Sequence, residues 1–395
     1  MKIKDIVGTK KRHNRDSRKR RIVQKSLFTV DPKKLSEGAR IQHLEDLAIW
    51  DGSNGGKKAI ASLKSLEHSP SDTTIKWDGS PAIIYGRNEQ GEFVLTDKSG
   101  FGAKGYDGRV TSPEALEKMF MSRKSRPGTE ASRAEFAARM ASLWPAFESS
   151  TPADFRGYVH GDLLYTETPS IKNNRLVFQP NTTLYTVDPL SDIGKRVANS
   201  KIGVVLHAYI DMDGNISAVD ATKFTTGELL VMPPAVVTTA PEIDVDGINE
   251  LEAIVAKYGN DIDTLVSPPP ELKMKSFQDM LYTYVNSAVK TNSLGSLGNS
   301  QHFMDWLSNS KASNKMKEKV VDWIKQHNQG FDALFQFIAK AMAVKNQIIK
   351  LLDSQPADIE AHTNGEQGGE GYVVGRDVKL VNRAGFTAAN FARNN

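Results

Sequence analysis

The feature that most constrains this chain is a late return to strand. From Glu271 to Leu352 apolar residues recur at helical spacing: Phe277, Met280, Leu281 and Tyr284, then Met316, Val320, Trp323 and Ile324, then Phe331, Leu334, Phe335 and Ile338. After a polar, glycine-rich stretch the chain reads Tyr372-Val373-Val374 and Val378-Lys379-Leu380-Val381, short runs of β-prone residues. Two such strands are marginal alone and need a sheet to join. The candidates lie far upstream, at Thr73 to Ile75, Ala82 to Tyr85 and Phe93 to Thr96, separated by turn residues such as Asn88 and Gly91. The chain is therefore expected to leave a strand-rich domain near residue 220 and to re-enter it near 362, an α+β architecture with a helical insertion.

That reading divides the chain into a basic arm (1–26), a helical lead-in (27–70), a strand-rich domain made of 71–220 and 362–395, and a linker plus helical insertion (221–361). In the lead-in, Ile41, Leu44, Leu47 and Ala48 share a helix face, and Asp51-Gly52-Ser53-Asn54-Gly55-Gly56 reads as a turn before a second helix over 57–66. His43, Glu45 and Asp46 invite a metal reading, but Glu45 cannot share a helix face with the other two, so capping or packing is expected. Ser112-Pro113-Glu114 opens a mostly helical stretch to Leu143. Tyr158 to Tyr165, Leu176 to Phe178, Leu184 to Val187 and Ile202 to Ile210 read as strands.

Composition excludes several classes. At 395 residues, 39% hydrophobic and 25% charged, the chain is expected to be globular, with no apolar run long enough to span a membrane and no secretory leader. It has no cysteine, hence no disulfide, no thiolate metal site and no cysteine nucleophile. There is no Walker loop, GxSxG or HExxH pattern. A cytoplasmic protein is the simplest expectation. The net charge of +4 is uneven: residues 1–25 hold eleven Lys or Arg against Asp5 and Asp16, a local +9. Lys10, Lys11, Arg12, Arg15, Arg18, Lys19, Arg20 and Arg21 form its densest part and are the candidates for contact with nucleic-acid phosphates by counterion release. A solvated tail or a localisation signal is the alternative.

The chemistry concentrates on Lys76-Trp77-Asp78-Gly79, at the end of the first strand candidate. A deprotonated lysine there is a nucleophile that a phosphate can meet. Lys76-x-Asp78-Gly79 resembles motif I of the covalent nucleotidyltransferases, the ATP-dependent DNA and RNA ligases and mRNA-capping enzymes. Lys98-Ser99-Gly100 resembles the basic segment that follows it. Gly161-Asp162 on an apolar strand resembles motif III, with Asp162 one methylene shorter than the family's glutamate. Leu184-Tyr185-Thr186-Val187 resembles motif IIIa, which offers an aromatic face to the base; Tyr185 is the first candidate and Phe178 the second, core packing being the alternative for both. Glu370-Gly371 before an apolar strand resembles motif IV, and Val378-Lys379-Leu380 motif V, with Asp377 where the family often has a further lysine.

The resemblance implies a ligase-type nucleotidyltransferase fold with ATP-grasp-like antiparallel sheets. It implies Lys76 and Asp78 as catalytic residues, and Lys76, Lys98, Asp162, Tyr185 and Lys379 as nucleotide contacts. Glu370 and Asp162 become metal ligands, and ATP with Mg²⁺ or Mn²⁺ the cofactors. It implies RNA or DNA ends as partners. Sixteen residues follow Lys379, so no C-terminal OB domain is expected, which favours RNA ligases. The layout also resembles uncharacterised proteins of tailed bacteriophages, which places the protein in host cytoplasm. Two alternatives stand beside an RNA or polynucleotide ligase: a nucleic-acid-binding or virion-associated protein that kept the fold, and a nucleotidyltransferase with another acceptor. The ligase reading requires Lys76, Asp162, Glu370 and Lys379 to line one cleft.

Overall fold

The computed structural model describes residues 42–97, 100–101, 110–123, 128–355, 357–363, 365–369, 371–375 and 378–385. The basic arm, Lys98 and Glu370 lie outside them. In chain order the elements are β1 (Gln42–His43), α1 (Leu47–His68), β2 (Thr73–Ile75), β3 (Ala82–Arg87), β4 (Phe93–Asp97), α2 (Pro113–Met121), α3 (Glu130–Ser142), α4 (Trp144–Ser150), β5 (Gly157–Tyr165), β6 (Ser170–Lys172), β7 (Arg175–Phe178), β8 (Thr183–Val187) and α5 (Asp192–Ala198). There follow β9 (Ile202–Ile210), β10 (Ile216–Ser217), β11 (Leu229–Val231), α6 (Val245–Val266), α7 (Phe277–Lys290), α8 (Ser300–Ser308), α9 (Asn314–Gln326), α10 (Asn328–Asp353), β12 (Ile359–Thr363), β13 (Glu366–Gln367), β14 (Tyr372–Val374) and β15 (Val378–Leu380). The protein is mixed α+β, as expected.

Two compact units emerge, and their borders differ from the expected ones. Unit 1 contains Gly79–Pro169 and Lys195–Pro233; unit 2 contains Ile41–Asp78, Ser170–Gly194 and Pro234–Asn395. Unit 1 is built on a sheet in the order β10-β9-β5-β3-β4, antiparallel along that path, with β11 parallel beside β9. Alternation along β3 and β5 sends Ile83, Tyr85, Val159 and Leu163 to one face, where Phe120, Met140, Trp144 and Phe147 of α2, α3 and α4 cover them. Tyr85 lies fully buried there, its ring edge-on to Phe147 at 4.9 Å. The other face carries Ile84, Val94, Tyr158 and Ile210, with Phe101 packed on them.

Unit 2 holds two sheets, β1-β15-β14-β2 and β13-β12-β8-β7-β6. The expected helical insertion is no separate subdomain. Leu47, Ile60 and Leu63 of the lead-in, Leu251 of α6, Phe277 of α7, Phe335 and Ile338 of α10, and Tyr372, Val378 and Leu380 of the last strands form one continuous core. The lead-in and the insertion each bury one apolar stripe, and each is the other's cover. Residues 235–237, read as part of an apolar linker, pair with β2 instead: Ile75 N–H donates to Ala235 O at 2.8 Å and Val237 N–H to Thr73 O at 2.8 Å.

The expected turn at 51–56 shrinks to Asp51 and Gly52, the latter at φ 53°, and the helix resumes at Ser53. Asp263 of α6 caps the resumed helix from outside, accepting from Ser53 N–H at 2.6 Å and Ser53 Oγ at 2.8 Å. Gly55 and Gly56 belong to that helix because of crowding: a Cβ on Gly55 would stand 2.0 Å from Leu47 O.

A second feature was not visible in the sequence. Lys345 of α10 is fully buried, and its Nζ donates to both carboxylate oxygens of Glu45 at 2.8 and 2.7 Å. Arg383 donates to Glu45 Oε1 at 3.3 Å, to Asp46 Oδ1 at 2.8 Å and to Asn286 Oδ1 at 2.5 Å. Glu45 and Asp46 thus serve structure, but through ion pairs rather than caps, with the buried His43 beside them. Burial pushes Glu45 upward, yet Lys345, His43 and Arg383 outweigh it and hold the carboxyl at about 2. Burial dominates at Asp46 and raises it to about 6 against the pull of Arg383. Burial also drives His43 well below the usual imidazole range.

Candidate active site

The lysine-bearing surface is one face of the four-stranded sheet of unit 2. Residues opposite each other in a ladder share a face, and neighbours along a strand alternate. Thr74 pairs with Val373, Val373 with Lys379, and Lys379 with His43. Lys76 follows β2 directly, and its N–H donates to Gly371 O at 2.8 Å, carrying the ladder one step further. Thr74, Lys76, Val373, Lys379 and His43 therefore occupy one face, and Lys76 and Lys379 are both half-buried on it. Ile75, Tyr372, Val374, Val378 and Leu380 occupy the other and enter the helical core. So Lys76 and Lys379 come together on one sheet although most of the chain separates them.

Asp78 has a different role from the expected one. Its buried carboxylate accepts four hydrogen bonds: from Asn181 Nδ2 at 2.8 Å on Oδ1, and from Thr182 N–H at 3.0 Å, Thr182 Oγ1 at 2.7 Å and Thr183 N–H at 3.1 Å on Oδ2. Its own N–H donates to Tyr185 Oη at 2.6 Å. A carboxylate so saturated anchors the loop that carries Lys76; it is a positioning residue. The three consecutive donors Asn181, Thr182 and Thr183 at the entry to β8 were the sequence signal for this anchor.

Tyr185 also departs from expectation. It is fully buried, and its ring packs on Trp77 at 4.8 Å and on Phe178 at 5.4 Å. Phe178 is itself only 6% exposed. Neither ring has a face to offer a base, because the Trp77 ring packs against both, at 4.8 Å from Tyr185 and 6.5 Å from Phe178. Core packing, the alternative reading for both, is what the structure holds.

The glycine-rich stretch before β14 is shaped by Asp353 at the end of α10. Tyr372 Oη donates to Asp353 Oδ1 at 2.9 Å. Gly368 and Gly371 both lie at φ 133°, and a Cβ on Gly368 would stand 2.6 Å from Asp353 Oδ2. Burial pushes the Asp353 carboxyl up to about 6, against the Tyr372 hydrogen bond.

Asp162 belongs to unit 1, in the middle of β5. Its Oδ2 contacts His207 Nε2 at 2.8 Å, with the two side chains 20% and 36% exposed. His207 reaches it through a bulge: His160 pairs with Ala208 and Gly161 with Leu206, so the ladder skips His207. Gly79, the last residue of the Lys76 motif, lies against Asp162, and a Cβ there would stand 2.4 Å from Asp162 Cβ. The described residues contain no group of three His, Asp or Glu side chains able to hold a metal. Asp162 is bound to an imidazole rather than facing a second carboxylate, a poor start for an oxygen-ligated Mg²⁺ site. The expected pairing of Asp162 with Glu370 finds no support there, since Glu370 is outside the described residues.

Fold and site together define an α+β protein whose lysine-bearing sheet face is assembled from early and late parts of the chain. The chain belongs to the family of unknown function DUF6267, whose model matches residues 39–106 and 141–395. No curated protein and no solved structure matches it. The family match leaves out the basic arm, α2 and most of α3. No helix among the described residues is long and apolar enough to cross a membrane.

Proposed function

We propose that this protein is a covalent nucleotidyltransferase, an ATP-dependent RNA or polynucleotide ligase. One observation carries the reading: Lys76 and Lys379, the lysines matched to motifs I and V, share a face of a sheet whose strands come from residues 73–75 and 372–380. A lone KxDG turn would not require that reunion. The lone pair of Lys76 Nζ attacks the α-phosphorus of ATP, the bond to pyrophosphate breaks, and a lysyl-AMP phosphoramidate forms. Lys379 offsets the charge that grows on the phosphate oxygens. Asp78 holds the nucleophile's loop, and the hydrogen bond from Lys76 N–H to Gly371 O fixes its height on the sheet. The AMP then passes to a 5′-phosphate end, and a 3′-hydroxyl displaces it. The basic arm would hold the strand by its phosphates.

The test is incubation with labelled ATP and Mg²⁺ followed by a denaturing gel. Label should stay with the protein from α-labelled ATP and not from γ-labelled ATP. Lys76→Ala should abolish it, and so should Lys76→Arg, because a guanidinium is not deprotonated. Full labelling of Lys76→Ala would remove Lys76 as the nucleophile. One observation favours a second reading, a nucleic-acid-binding protein that kept the fold without turnover: Tyr185 and Phe178 are closed into the core and offer no base platform. That reading expects no label at all.

A further inference from the structure

Between α2 and α3, wholly inside unit 1, lies a cavity of about 300 Å³ that the proposed chemistry does not use. Its walls bring together cations, hydroxyls and rings: Arg123 and Arg133, Thr129 and Ser132, Phe120 and Phe136. Both arginines are set in place by the fold. Arg123 donates to both carboxylate oxygens of Asp97, at 2.6 and 2.7 Å, and its guanidinium lies over the Phe120 ring at 4.9 Å. Arg133 Nη1 donates to Phe120 O at 3.4 Å. Asp97 Oδ1 also accepts from Gly100 N–H at 2.7 Å, so that carboxylate is turned to Arg123 and the backbone. Among the described lining residues two guanidinium groups meet one carboxylate, and the balance is positive. Phe120 and Phe136 meet edge-on at 5.0 Å and make an apolar wall. The cavity also stands apart from what the family shares: the match stops at residue 106 and resumes at 141, so every lining residue named here except Asp97 lies outside it.

We propose that this cavity binds a phosphate monoester carrying one planar ring system, a nucleoside 5′-monophosphate, either free or at the end of a strand. Its volume is at the lower end of small-molecule sites and suits a single nucleotide. A guanidinium fork takes two oxygens of a phosphate, and the hydroxyls of Thr129 and Ser132 serve the third. A carboxylate has only two oxygens and would leave those hydroxyls without a task. The ring of the ligand lies against the Phe120 and Phe136 wall, where offset or edge-on contact stabilises it. Binding makes and breaks no covalent bond and asks nothing of Lys76, so the inference stands apart from the ligase reading.

The experiment photolabels the full chain with 8-azidoadenosine 5′-monophosphate and maps the labelled peptides by mass spectrometry. Label should fall within residues 113–142, should saturate, and should be displaced by AMP. Adenosine, which lacks the phosphate, should displace it at least about tenfold less well, because a hydrogen bond to a charged group is worth that much. Arg133→Gln should weaken labelling by about tenfold or more for the same reason. Ser132 is exposed, so Ser132→Ala leaves the fold intact, which circular dichroism checks, and should weaken labelling by about threefold. A 5′-phosphorylated trinucleotide that competes as well as AMP assigns the ligand to a strand end; one that fails to compete assigns it to the free nucleotide. The absence of saturable label within 113–142 overturns the proposal, as does displacement by adenosine equal to that by AMP, or labelling unchanged in Ser132→Ala and Arg133→Gln. The position of the label separates this cavity from any binding at Lys76, which lies on a different peptide.

Discussion

The buried ion cluster of unit 2 allows a sharp test. Lys345→Met keeps the length of the side chain and removes its charge. Glu45, fully buried, would lose the contacts at 2.8 and 2.7 Å and keep only Arg383, at 3.3 Å. Arg383 already serves Asp46 at 2.8 Å, so two carboxylates would face one cation in a sealed interior. Removing one partner of such a pair costs about 3–5 kcal/mol, because the remaining charge has lost its water without compensation. The double change Glu45→Gln with Lys345→Met leaves Arg383 and Asp46 matched. It should cost less than the sum of the single changes by about 2 kcal/mol or more. Urea unfolding of the full chain, followed by far-ultraviolet circular dichroism, measures all three. The pH dependence has a defined sign. Glu45, held at about 2, contributes stability that is complete above its ordinary range and is lost as pH falls towards 2. That acid-side loss should vanish in the double variant. Additive costs, or a single change costing under about 1 kcal/mol, would refute the account of a matched cluster.

Two further outcomes follow from the site. Asp78→Ala strands the buried N–H groups of Thr182 and Thr183 and frees the Lys76 loop; unfolding should show a loss of about 2–4 kcal/mol. Asp353, raised to about 6, binds its proton more tightly folded than unfolded, so its contribution is present below pH 3.8 and lost as pH rises to 6. Asp353→Asn should remove that decline, worth up to about 3 kcal/mol before solvent screening, in stability curves taken at pH 4 and pH 7.

Much of the fold was legible because it rests on periodicity. The strands at 73–75, 82–87, 93–97 and 202–210 and the amphipathic helices from Phe277 onward announce themselves by alternation or helical spacing. The reunion of residues 73–75 with 372–380 was legible for another reason: short strands must pair. What failed was partner choice. No periodicity says that the lead-in and the insertion share one core, or that 235–237 would add to β2. Tyr185 shows the limit at the site. An aromatic on a strand is equally suited to a ligand and to a core, and only the neighbouring Trp77 decides between them. Asp78 was misread because a motif records residue types, whereas the four donors that saturate it come from a distant loop. His207 left no trace, since a bulge depends on the register of two strands. Lys345 left none either, because a lysine on a helix reads as solvent-facing until its partner is known.

The sheet that carries Lys76 and Lys379 has a bearing on biosynthesis. Its strands β1 and β2 leave the ribosome well before β14 and β15. At ordinary elongation rates the interval is on the order of tens of seconds. Throughout it Lys76 sits on an unfinished ladder, with no Gly371 carbonyl to hold it and no Lys379 on its sheet face. A nascent chain stalled before Leu380 therefore carries the nucleophile without its setting. Whatever this sheet does for the cell begins only once Leu380 has been made, and products truncated before it should be silent.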